Sequence, residues 1–166
     1  VDGYVYIRKG ENATASVSIK DSSTYSEPKG SLFDNNGVIS IGKNYHVYDK
    51  ISAASIKVED YAEIIFDEAV ELTGTLILGS GTKATFNSSV KADKFAKTGS
   101  LYAEEWFYAK AEFGRFAPGY SWVHIEKTAT LTADTIQADN SSGIIYLKGV
   151  VSAKNCSNKA KWIVAG

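Results

Sequence analysis

Along residues 38–166 the apolar positions come in pairs two residues apart, and the pair returns about every twenty residues. Ile39/Ile41, Ile56/Val58, Leu76/Leu78, Leu101/Ala103, Val123/Ile125, Ile145/Leu147 and Ile163/Ala165 form the series. Their first members are separated by 17, 20, 25, 22, 22 and 18 residues. Residues i and i+2 of an extended chain share one face, so each pair marks a strand with one apolar side. A strand that recurs every ~20–50 residues is the signature of a repeat architecture.

Each unit continues in the same way. A polar turn follows the pair, as at Gly42-Lys43-Asn44, Glu59-Asp60, Gly79-Ser80-Gly81, Glu104-Glu105, Glu126-Lys127-Thr128 and Lys148-Gly149. A second apolar strand comes next: Tyr45/Val47, Ile64/Phe66, Ala84/Phe86, Phe107/Ala109, Ala129/Leu131 and Val151/Ala153. Four units add a third piece, Val70/Leu72, Val90/Ala92, Ala111/Phe113 and Ile136/Ala138, and close on Gly74, Gly99, Gly119 and Gly143. The pattern predicts an all-β domain, an irregular β-solenoid with rungs of about 17–25 residues. The alternative is a β-sandwich or jelly roll, which also uses short strands about every 8–12 residues. The near-constant offset of the second strand from the first favours the solenoid. Helix competes only over Tyr102–Phe113, which is rich in Ala and Glu; Trp106, Tyr108 and a Gly114 corner fit a rung better.

Residues 1–37 do not follow the repeat. Gly3–Ile7 and Ala15–Lys20 have strand character, and Asp21–Asn36 is loop chemistry built from Asp, Ser, Thr, Asn and Pro28. The expected organisation is an N-terminal cap, hairpin or exchange arm over 1–37 and a repeat β domain over 38–166.

Eighteen Lys and Arg against nineteen Asp and Glu give a net charge of −1, without the basic stripe of a nucleic-acid-binding domain. No apolar run reaches the ~18–20 residues of a membrane-spanning helix. The chain opens Val1-Asp2-Gly3 and has no Met, as expected of a processed, exported protein. A single cysteine, Cys156, excludes an internal disulfide and a Cys-rich metal site; a small residue in a turn is expected there. Four Asn-x-Ser/Thr sequons, at Asn12, Asn87, Asn140 and Asn155, are glycosylation candidates in such a protein.

Catalytic chemistry is not expected. The two histidines, His46 and His124, fall in different units and point outward. No nucleophile elbow, Walker loop or metal-binding motif occurs. The carboxylate pairs Glu59/Asp60, Asp67/Glu68, Glu104/Glu105 and Asp134 with Asp139 alternate with Lys and Thr and do not recur in register. A solvated strand face explains them, with no metal or cofactor required.

The outward positions around the apolar pairs are less ordinary. They become aromatic toward the C-terminus: Tyr102, Trp122, Ile144, Tyr146, Trp162 and Val164. Stacked rungs would gather them into a band of roughly several hundred Å², a size that marks an interaction site. The chain also starts with the apolar strand around Tyr4 and Tyr6 and finishes with Lys161–Gly166. An uncovered strand edge is a template for pairing, and a head-to-tail contact between copies builds rings or open filaments. Tyr4, Tyr6, Tyr102, Trp122, Ile144, Tyr146, Trp162 and Val164 are therefore the expected subunit contacts.

The rung pattern over 38–166 resembles that of β-solenoid surface and scaffold proteins, such as adhesin stalks and bactofilin-like polymers. Together with the sequons and near-neutral charge it is similar in style to subunits of prokaryotic, including archaeal, extracellular sheaths and filaments. The resemblance implies a secreted, self-assembling structural subunit at the cell surface, with itself and glycans as expected partners. The alternative is a carbohydrate-binding or adhesin module that stacks sugars on Tyr102, Trp122, Tyr146 and Trp162.

Overall fold

The computed structural model describes residues 17–19, 25–26, 33–41, 45–48 and 50–165, and side chains from residue 46 onward. It is a β-solenoid of about six turns. Each turn contributes one long strand to sheet A and one short strand to sheet B, and all neighbours run parallel.

Sheet A contains β1 (Val17–Ile19), β3 (Phe33–Ile41), β5 (Ile51–Val58), β7 (Val70–Leu72) with β8 (Thr75–Leu78), β10 (Val90–Lys97), β12 (Lys110–Ala117), β14 (Thr130–Ala138) and β16 (Val150–Asn158). Sheet B contains β2 (Tyr25–Ser26), β4 (Tyr45–Val47), β6 (Glu63–Phe66), β9 (Lys83–Phe86), β11 (Ala103–Phe107), β13 (Ser121–Ile125), β15 (Ile144–Leu147) and β17 (Lys161–Val164). β3 runs across position 37, the expected boundary, with a register shift between Asn35 and Val38.

The long strands bend in the middle. In β5, Ile51 and Ala53 face inward, then Ile56 and Val58, with two non-inward residues between. β7 and β8 are the same strand broken by Thr73-Gly74. The third pieces Val70/Leu72, Val90/Ala92 and Ala111/Phe113 are thus the first halves of long strands, whereas Ile136/Ala138 is the second half of β14.

The core lies between the two sheets as columns of like residues. Phe66, Phe86 and Phe107 on sheet B stack at 5.1 and 5.0 Å with interplanar angles of 9° and 6°. That is close to the ~4.8 Å between strands, so in-register phenylalanines meet face to face. Phe95, Phe113 and Phe116 of sheet A close the core, each 6.2 Å from Phe107. On the outside of sheet A, Lys91 is in register with Glu71 and Glu112, placing opposite charges beside each other on successive rungs.

The structure corrects the sequence register at three places. The continuation of Leu76/Leu78 on sheet A is Phe95/Lys97, not Leu101/Ala103; Leu101 is 45% exposed in a corner. Glu104-Glu105 is not a turn but the middle of β11, with Ala103, Glu105 and Phe107 inward. At the C-terminus Trp162 and Val164, rather than Ile163 and Ala165, are in register with the inward Ile145 and Leu147.

One corner carries backbone strain. Tyr61 has φ 61° and is 70% exposed, whereas the next rung places Gly81 there at φ 67°. The left-handed region costs a side-chain-bearing residue about 1–2 kcal/mol. Tyr61→Gly is expected to stabilise the protein by about 1 kcal/mol, since the ring buries little. A urea midpoint that falls instead would mean that the packing of the Tyr61 ring over Gly81 outweighs the strain.

Candidate interaction surfaces

The outer face of sheet B is built by alternation. Inward side chains fill the core, so i+1 neighbours project outward in two columns. One column runs Lys83, Glu104, Trp122, Ile144, Lys161, and the other Thr85, Trp106, His124, Tyr146, Ile163. In the second column Trp106 and His124 stack at 4.7 Å and 6°, and His124 and Tyr146 at 4.6 Å and 9°. Tyr102 stacks on Trp122 at 4.7 Å. Of the expected contact residues, Tyr102, Trp122, Ile144 and Tyr146 are brought together on this face. Trp162 turns inward and packs against the core. Val164, also in an inward column, is 72% exposed. Tyr4, Tyr6 and Asn12 lie outside the described residues.

The sequence reading missed Trp106, because its neighbours had been placed in a turn. It also treated His124 as an ordinary solvated side chain. His124 does face outward, but the flanking rings half-bury it, and this burial lowers its pKa from the usual imidazole value. Its Nε2 has no hydrogen-bond partner. His46 is bound to Asp67 at 2.7 Å.

The carboxylates do not converge. Glu104 and Glu105 lie on opposite faces of β11. Asp134 pairs with Lys154 at 2.7 Å, and Glu126 with Lys148 at 3.1 Å. A groove of about 410 Å³ follows the bend of sheet A, lined in part by Lys91, Glu112, Thr132, Asp134, Ser152 and Lys154. Two of its acids are engaged, Asp134 with Lys154 and Glu112 with Lys110 at 2.7 Å. Among the described residues no group of three or more His, Cys, Asp or Glu could hold a metal ion. The described residues form no helix long and apolar enough to cross a membrane.

Three sequons are described. Asn87 is exposed beyond the end of β9 and donates its amide to Asp67 Oδ1 at 2.7 Å. Asn140 lies in the corner after β14, where its Oδ1 accepts the Ser142 N–H at 2.9 Å. Asn155 is exposed on β16.

The last turn differs from the others. Among the described residues β16 and β17, like β1 and β2 at the other end of the stack, have a hydrogen-bonded neighbour on one side only, and here the side chains can be followed. Nearly all of β16 is exposed, including Val150 at 58% and Cys156, which occupies the column of Leu76, Phe95, Phe116 and Ile136. No protein-family model, curated protein or solved structure matches the chain.

Proposed function

We propose that this chain is a self-assembling structural subunit of an extracellular sheath, surface layer or fibre. Its working parts are contacts rather than a catalytic centre. The observation that carries this reading is the C-terminal end of the stack: among the described residues none pairs with the outer edge of the nine-residue strand β16, which carries apolar positions that continue the core columns. Such an edge pairs with another strand, and the occupant we assign is a second copy of this chain. The aromatic face formed by Tyr102, Trp122, Ile144 and Tyr146 lies on sheet B, runs toward β17 at the same end of the stack and supplies a lateral contact. The sequons at Asn87 and Asn155 are exposed and that at Asn140 lies in a corner, placements that suit an exported, glycosylated protein.

The geometry weighs against the carbohydrate-stacking alternative. A sugar packs against the open face of an aromatic ring, and in Trp106, His124 and Tyr146 the faces are turned toward one another.

The test is particle size of the unheated 166-residue chain by electron microscopy and sedimentation. Assemblies far above 17.9 kDa are expected. The double variant Val150→Lys, Val164→Lys is expected to return monomers with an unchanged β circular-dichroism spectrum, because both side chains are exposed and edge lysines block pairing. A wild-type chain that remains monomeric at high concentration would overturn the reading.

A further inference from the structure

The interior holds one carboxyl group that the assembly reading does not use. Glu105 points into the core, in register with Ala84 and Val123, and is fully buried. Its Oε2 has no hydrogen-bond partner. Its Oε1 lies 2.8 Å from Ser121 Oγ, and that same Oγ lies 2.7 Å from the Pro118 carbonyl oxygen. A carbonyl can only accept, so the single Ser121 proton goes to Pro118. The 2.8 Å contact then needs a proton from Glu105. Sequence position and geometry thus make Glu105 a neutral acid that donates to Ser121, which donates to Pro118.

The charged surroundings are asymmetric. Lys97 on β10 occupies the inward register of Leu78, but its Nζ reaches out to the Gly99 carbonyl at 2.8 Å. It does not form an ion pair with Glu105. Glu104 on the same strand faces outward beside Lys83 of β9 and Trp122 of β13. Asp60, on the corner of an earlier turn, acts on Lys97. The facing residues of β9 and β13, Ala84 and Val123, carry no charge. The corner between Lys97 and Ala103 is exposed throughout, from Thr98 to Tyr102.

We propose that this corner is a pH-operated latch, closed while the Glu105 carboxyl keeps its proton and opened when the carboxyl ionises and moves toward Lys97. Lys97 then leaves the Gly99 carbonyl, which loosens Gly99–Tyr102. In the closed state the Leu101 N–H to Ser80 Oγ bond at 3.2 Å and the Gly81 N–H to Tyr102 carbonyl bond at 3.0 Å hold this segment to the preceding turn, and Tyr102 carries the change to its stacking partner Trp122. Burial is the first cause that pushes the Glu105 pKa up to about 8; the Lys97 charge acts the other way.

The direction of the pH effect follows. An unfolded Glu gives up its proton near pH ~4.3, while the folded chain keeps it until about pH 8. Between those values the folded state binds one more proton, so stability falls as pH rises. The stabilising contribution is complete below the unfolded value and is lost through the folded one. At full effect the unfolding equilibrium constant rises about tenfold per pH unit across this window.

Urea unfolding of the full chain from pH 5 to pH 9 tests this, with Glu105→Gln as the comparison. The wild type is expected to lose stability steadily relative to the Gln variant, and Trp fluorescence is expected to change in the same range. Lys97→Gln is expected to extend the loss to higher pH. Parallel wild-type and Gln curves would overturn the proposal. Should the Gln variant not fold, the carbon-13 shift of the Glu105 carboxyl in the wild type decides: a group already ionised at pH 6 ends the latch.

Discussion

Phe107→Ala is expected to cost about 3–5 kcal/mol, the range for removing a buried Phe side chain. Phe107 is 1% exposed and sits where both sheets meet. It stacks on Phe86 at 5.0 Å and makes edge contacts with Phe95, Phe113 and Phe116. No residue of the same turn can collapse into the space, because the backbone on each side is fixed by parallel pairing to β9 and β13. The loss also falls on a junction between turns, and in a solenoid neighbouring-turn contacts are a main source of stability. Tyr108→Ala, removing the adjacent but 42% exposed ring, is the control and should cost well under ~1 kcal/mol. Equal urea midpoints for the two variants would refute the assignment of Phe107 to the centre of the core.

The second large effect is expected from adding one methyl group. Gly79 is buried in the corner after β8. A Cβ there would collide with Asp60 Oδ1 and come within 2.7 Å of the Asp60 nitrogen and 2.9 Å of the Glu59 carbonyl carbon. Two of these atoms are backbone, so rotation of a side chain cannot relieve the contact. Asp60 Oδ1 also accepts the Ser80 N–H at 2.7 Å, a bond that ties one turn to the next. Gly79→Ala is therefore expected to destabilise by about 3 kcal/mol, the upper part of the overpacking range. In the double variant with Asp60→Ala the cost of Gly79→Ala should shrink but not vanish, because the backbone contacts remain. A cost below ~1 kcal/mol in urea would show that the corner is free to shift.

The repeat was legible because the inward columns of sheet A keep the aliphatic pairs Ile56/Val58 and Leu76/Leu78, in register with Ile39/Ile41 of β3. The signal then changed sheets. At the next turn the second inward position is Lys97, and one turn later Pro118 stands two residues after Phe116, so the aliphatic i, i+2 pair is interrupted for two turns and returns only at Ile136/Ala138. Leu101/Ala103 offered a substitute only because Leu101 happens to stand two residues before a true inward alanine. Glu105 compounded the error: a glutamate beside another glutamate is ordinary turn chemistry, and nothing local distinguishes one that will be buried. The aromatic surface was half visible for the same reason. Trp122, Ile144 and Tyr146 follow correctly phased pairs, while Trp106 lies in the misphased unit and Trp162 was placed one residue out.

The sequence by itself determined the class of object: alternation at period two, a return near twenty residues and near-balanced charge specify a short-stranded solenoid. Those properties are local, set by which face of each strand is apolar. Only the tertiary structure decided which strands belong to which sheet, that Glu105 is enclosed as a neutral acid, and that Trp106, His124 and Tyr146 share one stacked column. These depend on register between turns. A shift of one residue exchanges the inner and outer faces of a strand, and that register is fixed by packing across the whole stack.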